Sequence, residues 1–247
     1  MRRTAGPALS LGASLRWYHI QRLLNTVDPQ SVLEVGCGLG ATGYRLALRH
    51  RYRAYEPDPS SASTAAATMA DLANADIRAE ALPSEADETF DLLVAFEVLE
   101  HLEADVEALR LWREWTNPEG YLIFSVPAGP HRMGSWDDRV GHFRRYSRTG
   151  LETALAESGW EPVSIRAWGM PLGYLLEWIR NSVARISDDA ELSKDDRTAK
   201  SGRLLQPNRV LAPAIATVSA PFALLQVPFA ASSLGIGYVA LARNSQT

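Results

Sequence analysis

The chain has 247 residues, of which 46% are apolar and 22% charged, the balance of an ordinary globular protein with a substantial buried core. A formal net charge of −4 argues against a broad nucleic-acid-binding surface. Cys37 is the one cysteine, so no intramolecular disulfide can form, which is compatible with a cytoplasmic location.

The basic start, Met1-Arg2-Arg3, leads into a weakly apolar stretch interrupted by Arg16, a poor match to a signal peptide. Residues 11–24 read as a helix, with Trp17, Tyr18 and His19 expected in the core rather than closed over a ligand. Ser31–Val35 is a short apolar strand that stops at glycines, 41–49 a helix, and 52–56 a second strand. Pro57-Asp58-Pro59-Ser60 opens an alanine-rich helix that Ser60 or Ser61 can cap. Residues 76–79 form a short third strand and Phe90–Phe96 a stronger fourth. In 102–115, Leu102, Val106, Leu109 and Trp112 recur at helical spacing. Residues 117–120 read as a turn, 121–126 as a fifth strand, 149–158 as a helix stopped by Gly159, and 163–168 as a sixth strand. The polar stretch 187–208 reads as a linker or mobile loop. From 211 to 242 no side chain is charged, but Pro213, Pro221 and Pro228 would each disturb a membrane-spanning helix. A packed or substrate-covering segment is expected there, followed by a last strand at 235–242.

This alternation predicts a doubly wound α/β fold with a mainly parallel sheet and helices on both faces. One domain spans 1–247, with its core at 25–170 and 234–243. Residues 171–233 are an inserted helical lid or substrate-binding segment, in which 209–233 could make peripheral membrane contact.

In such a sheet, ligands bind beyond the carboxyl ends of the strands. Gly36, Gly38 and Gly40 lie at one of these ends, where side chains would block close approach of the backbone to a ligand. Glu34 sits inside an apolar strand, and burying its carboxylate is costly without a partner. The ammonium group of an amino-acid moiety would supply one. Glu56 closes the second strand, where a carboxylate can accept both hydroxyls of a ribose. Read as a dinucleotide fingerprint, Gly36-x-Gly38-x-x-Ala41 with Glu56 also suits a nicotinamide cofactor. That cofactor has no ammonium group for Glu34.

Val32-Leu-Glu-Val-Gly-Cys-Gly-Leu-Gly40 resembles the first motif of class I S-adenosylmethionine-dependent methyltransferases. Tyr55-Glu-Pro-Asp58, the segment from Phe90 to Leu102 and the segment from Pro118 to Pro127 resemble the later ones. The resemblance implies a Rossmann-like seven-stranded sheet whose last strand is antiparallel and inserted. It implies that Glu34, Gly36 and Gly38 hold the methionine part of S-adenosyl-L-methionine and Glu56 the ribose, with Gly40 also at the cofactor. Ala79, Glu80 and Ala81 would border the adenine, and Phe96 and Glu97 the sulfonium end. A small-molecule acceptor is expected, most readily methylated at a hydroxyl or phenol oxygen. A non-catalytic cofactor-binding or partner-binding module remains a further reading.

An alcohol or phenol acceptor needs proton removal or a metal. Glu97, Glu100, His101 and His142 could together hold a divalent metal such as Mg. This set resembles that of small-RNA 2′-O-methyltransferases, and ubiquinone-pathway O-methyltransferases share its Glu-x-x-Glu-His segment. Without a metal, His101 or His142 is the candidate base. Arg139, Arg144, Arg145 and Arg148 could clamp an anionic group or form a solvated, ion-paired loop. Trp136, Phe143 and Tyr146 could line an acceptor pocket or pack beneath that loop.

Overall fold

The strands are apolar on both sides, and this decides the layering. Along β4 (Phe90–Phe96), Leu93 and Ala95 join one buried cluster while Leu92, Val94 and Phe96 join another. A sheet built of such strands must be covered on both faces. The computed structural model describes residues 6–186 and 212–245. Its other strands are β1 (Ser31–Val35), β2 (Arg51–Tyr55), β3 (Ala75–Arg78), β5 (Thr116–Pro127), β6 (Glu161–Trp168) and β7 (Gly237–Arg243). They run in the order β3-β2-β1-β4-β5-β7-β6. Neighbours from β3 to β5 are parallel, and β7 lies antiparallel between β5 and β6. The inserted last strand is therefore present as the resemblance implied.

One face is covered by α1 (Leu11–Val27), α2 (Ala41–Ala47) and α3 (Pro59–Met69), which contribute Leu15, Ile20, Leu46, Ala65 and Met69 to a common core. The other is covered by α4 (Asp105–Glu114) and α6 (Arg148–Glu157), through Leu109, Trp112, Leu151 and Leu155. A short helix, α5 (Ser135–Val140), follows β5, and α7 (Leu172–Ile186) follows β6. The helix α8 (Ala212–Leu225) precedes β7. The side-chain amide of Gln226, just past α8, donates to the Leu15 carbonyl and so ties this segment to α1.

Several local expectations change. Asp58, not Ser60 or Ser61, caps α3: its carboxylate accepts the Ser61 amide at 2.9 Å, and Pro59 occupies the first turn. Residues 117–120 belong to β5, where the ladder with β4 shifts register and Glu119 takes a φ of 65°. The helix expected from 102 starts at Asp105, after a 3-10 turn over Leu99–His101. Pro221 sits inside α8 without ending it. Among the described residues no helix is long and apolar enough to cross a membrane. The stretch 187–208 lies outside the described residues.

Candidate active site

The sheet order reverses between β1 and β4, so a crevice is expected beyond their carboxyl ends. The β1–α2 turn enters it with Gly36, Gly38 and Gly40 all at positive φ. Their reasons differ. A Cβ on Gly36 would lie 2.7 Å from Val98, and one on Gly40 would lie 2.8 Å from Met69 and 3.0 Å from Ala65. These two glycines are required by packing. A Cβ on Gly38 would meet nothing within 4 Å. At Gly38, then, the backbone borders open space, the cradle a ligand needs.

Two carboxylates flank this turn. Glu56 is buried and accepts the Gly38 amide at 2.8 Å and the Asp58 amide at 3.0 Å, one on each oxygen. Each oxygen keeps a lone pair for a ribose hydroxyl. Glu34, 2% exposed, accepts a 2.5 Å hydrogen bond from the Tyr52 hydroxyl. Gly43 makes room for this pair, since a Cβ there would lie 2.1 Å from the hydroxyl. Burial pushes the Glu34 carboxyl up to about 7, against the Tyr52 hydrogen bond. Ala79, Glu80 and Ala81 are exposed just beyond β3.

Past β4, Glu97 has a φ of 58° and accepts the Ser125 hydroxyl at 2.9 Å. Arg16 of α1 reaches it at 3.0 Å, with its guanidinium also over the rings of Phe96 and Trp168. Glu100 follows on the 3-10 turn, fully buried, and neither of its oxygens has a hydrogen-bond partner among the described residues. Burial, with Glu97 nearby, holds its carboxyl well above the usual range. His142 places Nε2 3.7 Å from Glu100, and its Nδ1 lies 2.7 Å from Asp137. The His101 and His142 rings meet edge to face at 4.7 Å. Burial and that neighbour push His101 down to about 3, so it is neutral at physiological pH. Glu100, His101 and His142 offer ligand atoms within 4.8 Å of one another. Glu97 is not part of that group; it is turned toward Ser125 and Arg16.

A family model described as a methyltransferase domain matches residues 18–165. The chain belongs to that family. A provisionally assigned sarcosine dimethylglycine methyltransferase from Galdieria sulphuraria is similar over 94% of this chain and 85% of its own, at 12% identity and a TM-score of 0.60. N-methyltransferase NodS from Bradyrhizobium japonicum WM9, in complex with S-adenosyl-L-homocysteine, aligns over 64% of this chain and 81% of its own, at 24% identity and 0.51. The Burkholderia thailandensis 1,6-didemethyltoxoflavin-N1-methyltransferase, with bound 1,6-didemethyltoxoflavin and S-adenosylhomocysteine, aligns over 95% and 80%, at 18% identity and 0.54. These likenesses establish the class I fold, and family membership sets aside the nicotinamide reading. A search of curated proteins finds no significant match.

In this methyltransferase the arginines after α5 are already engaged. Arg144 pairs with Asp105 at 2.6 Å, and Arg148 donates to the Ile165 and Ser232 carbonyls. Buried Arg145 forks onto Asp137 at 2.8 Å through two nitrogens and pairs with Glu177 of α7. Tyr146 is buried, and its hydroxyl donates to Asp105 at 2.7 Å, so it packs beneath the loop. Burial works to raise the Asp137 carboxyl, yet hydrogen bonds from His142 and Arg145 hold it far below the usual carboxylate range. Arg16, Tyr52, Asp137 and Glu177 were not expected as site residues. Only Glu34, in an apolar strand with a glycine nine residues on, hinted in the sequence at a buried partner such as Tyr52.

Proposed function

We propose that this methyltransferase moves a methyl group from S-adenosyl-L-methionine to a hydroxyl or phenol oxygen of a small molecule. Supporting the cofactor is a crevice with open space at Gly38 and Glu56 bonded to that residue's amide, while Glu34 of β1 and Glu97 past β4 add carboxyl groups at the same end of the sheet. Such a crevice suits a ligand carrying a sulfonium and an ammonium. Glu34 would take the ammonium, Glu56 the ribose hydroxyls, and Phe96 and Glu97 would border the sulfonium, with Ala79, Glu80 and Ala81 beside the adenine. When bound, the cofactor supplies an electrophilic methyl carbon. The observation that carries the oxygen acceptor is the Asp137–His142 pair at 2.7 Å. With Nδ1 held against Asp137, His142 turns Nε2 toward Glu100 and the His101 ring, and that nitrogen would receive the acceptor's proton. His101 narrows the space beside it. α7, which packs against α5, and α8, which packs against α1, would cover this end.

A divalent cation is a second reading, favoured by the Glu100 carboxyl group, which makes no hydrogen bond among the described residues, beside His101 and His142. Those three would hold it, leaving positions for acceptor oxygens, and it would polarise them. The test is titration with S-adenosylhomocysteine and NADH, then turnover on hydroxyl, phenol, amine and carbon acceptors with and without chelator. Expected are binding of S-adenosylhomocysteine alone and O-methyl products. Products methylated only at nitrogen or carbon would overturn the oxygen assignment. Binding without turnover on any acceptor would favour a non-catalytic module. Loss of turnover with chelator, restored by Mg, would establish the metal reading.

A further inference from the structure

We propose that the acceptor is an organic anion, a carboxylate or a phosphate ester, whose negative group is received by Arg180 of α7. The proposal rests on the methyl-transfer reading above and adds the substrate class.

α7 turns one stripe inward. Gly173, Glu177 and Ala184 are buried, and Arg180 falls on the same face by helical spacing. Glu177 on that stripe pairs with Arg145 and lies 3.4 Å from Arg132. The Asn181 side chain accepts the Trp136 amide at 3.0 Å. These contacts press the stripe against α5 and the loop that carries His142. Arg180 therefore points toward the reacting end, with its guanidinium carbon 5.5 Å from the Trp136 ring. Its Nε is buried and has no hydrogen-bond partner among the described residues.

Among the described residues, the charges that act on Arg180 are those of Glu97, Glu177, Arg145 and Asp137. Each of those carboxylates is already engaged. Glu97 has Arg16 at 3.0 Å, Glu177 has Arg145 and Arg132, and Asp137 has Arg145 and His142. Arg16, Arg132 and Arg145 are the guanidiniums paired with these carboxylates, whereas Arg180 makes no ion pair among the described residues. It is a half-buried cation in a setting where desolvation is costly unless an opposite charge arrives. Burial accordingly pushes the Arg180 pKa down in the absence of a ligand. A planar guanidinium fork fits a carboxylate or phosphate through two parallel hydrogen bonds. Its place over Trp136, the neighbour of Asp137 in α5, puts such an anion on the molecule that approaches His142. The cofactor's own carboxylate is the competing occupant, and the test separates the two.

The protein is incubated with deuteromethyl-labelled S-adenosylmethionine and the small-molecule fraction of an extract of the source organism. Labelled products are resolved by anion exchange and mass spectrometry. The dominant product is expected to carry a carboxylate or phosphate. Arg180→Gln should label it roughly tenfold less or worse, the scale of a lost charged hydrogen bond, while binding S-adenosylhomocysteine within about twofold of the parent. Arg180→Lys, which keeps the charge but not the fork, should recover part of the loss. A neutral or cationic dominant product overturns the proposal, as does undiminished labelling by Arg180→Gln. Loss of S-adenosylhomocysteine binding in Arg180→Gln also overturns it and assigns the side chain to the cofactor. A parent protein that binds S-adenosylhomocysteine yet labels nothing defeats the methyl-transfer reading itself, and this proposal with it.

Discussion

Burial and ligand binding pull Glu34 in opposite directions. Without a ligand its carboxyl is held up at about 7, so it is largely protonated at lower pH. A bound ammonium favours the carboxylate, so binding releases a proton below about pH 7. The Kd of S-adenosylhomocysteine should therefore rise as pH falls from 7, by up to roughly tenfold per unit. Glu34→Gln should weaken binding and flatten that dependence; equal pH slopes in both proteins by calorimetry would refute the assignment. The sign for stability is opposite. An acid whose folded pKa exceeds the ordinary 4.5 stabilises the fold below that value and loses the contribution as pH rises through about 7. Ligand-free Glu34→Gln should thus melt higher than the parent at pH 8. For His142, replacement by Ala should lower kcat by about 10²–10⁴ with little change in S-adenosylhomocysteine affinity. Asp137→Asn should do much the same by releasing the ring's tautomer. Normal kcat in both would remove His142 from proton transfer. Glu34 was legible in the sequence because a carboxylate in an apolar strand demands a partner. Asp137 was not, because nothing local marks it as facing His142 rather than water.

At the scale of elements, periodicity revealed what was regular. β1 and β4 have the expected bounds, and α1 runs three residues beyond its expected end, to Val27. Six-residue α5 is too short to show a period, so the helix that carries Asp137 escaped notice. The inward face of α7 was equally hidden. Its charged members, Glu177 and Arg180, look solvent-facing in a sequence, while its apolar Leu175, Trp178, Ile179 and Val183 are exposed. Partners more than thirty residues upstream reverse the usual pattern. Glu177→Ala would leave Arg145 and Arg132 without their shared carboxylate, an interaction whose loss costs about 3–5 kcal/mol when buried. The expected outcome is a lower urea midpoint and faster amide exchange in α7 and α5, with kcat falling as Asp137 loses its brace. Unaltered exchange in α7 would mean that its apolar contacts alone seat it.

For the whole molecule, the alternation of strands and helices announced a doubly wound sheet, but strand order did not follow from periodicity. The place of β7 between β5 and β6 came from the family resemblance, because pairing across a hundred residues leaves no local trace. That placement puts Asn244, just past β7, at the amino ends of the parallel strands, opposite the crevice. Asn244 is fully buried there. Its side-chain amide donates to the carbonyls of Thr116 at 2.9 Å, Asn117 at 3.1 Å and Arg113 at 3.3 Å, and its side-chain oxygen accepts from Arg113 at 2.8 Å. It thus clamps the end of α4 to the start of β5. Asn244→Ala would strand buried carbonyls at roughly 1–3 kcal/mol each. The urea midpoint should fall with an unchanged m-value, because the same surface is exposed on unfolding. Since the clamp and the crevice share no side chains, S-adenosylhomocysteine affinity below the transition should match the parent's. If affinity fell in step with stability, the two ends of the sheet would be coupled, and the rigid scaffold on which the site's geometry depends would have to be abandoned.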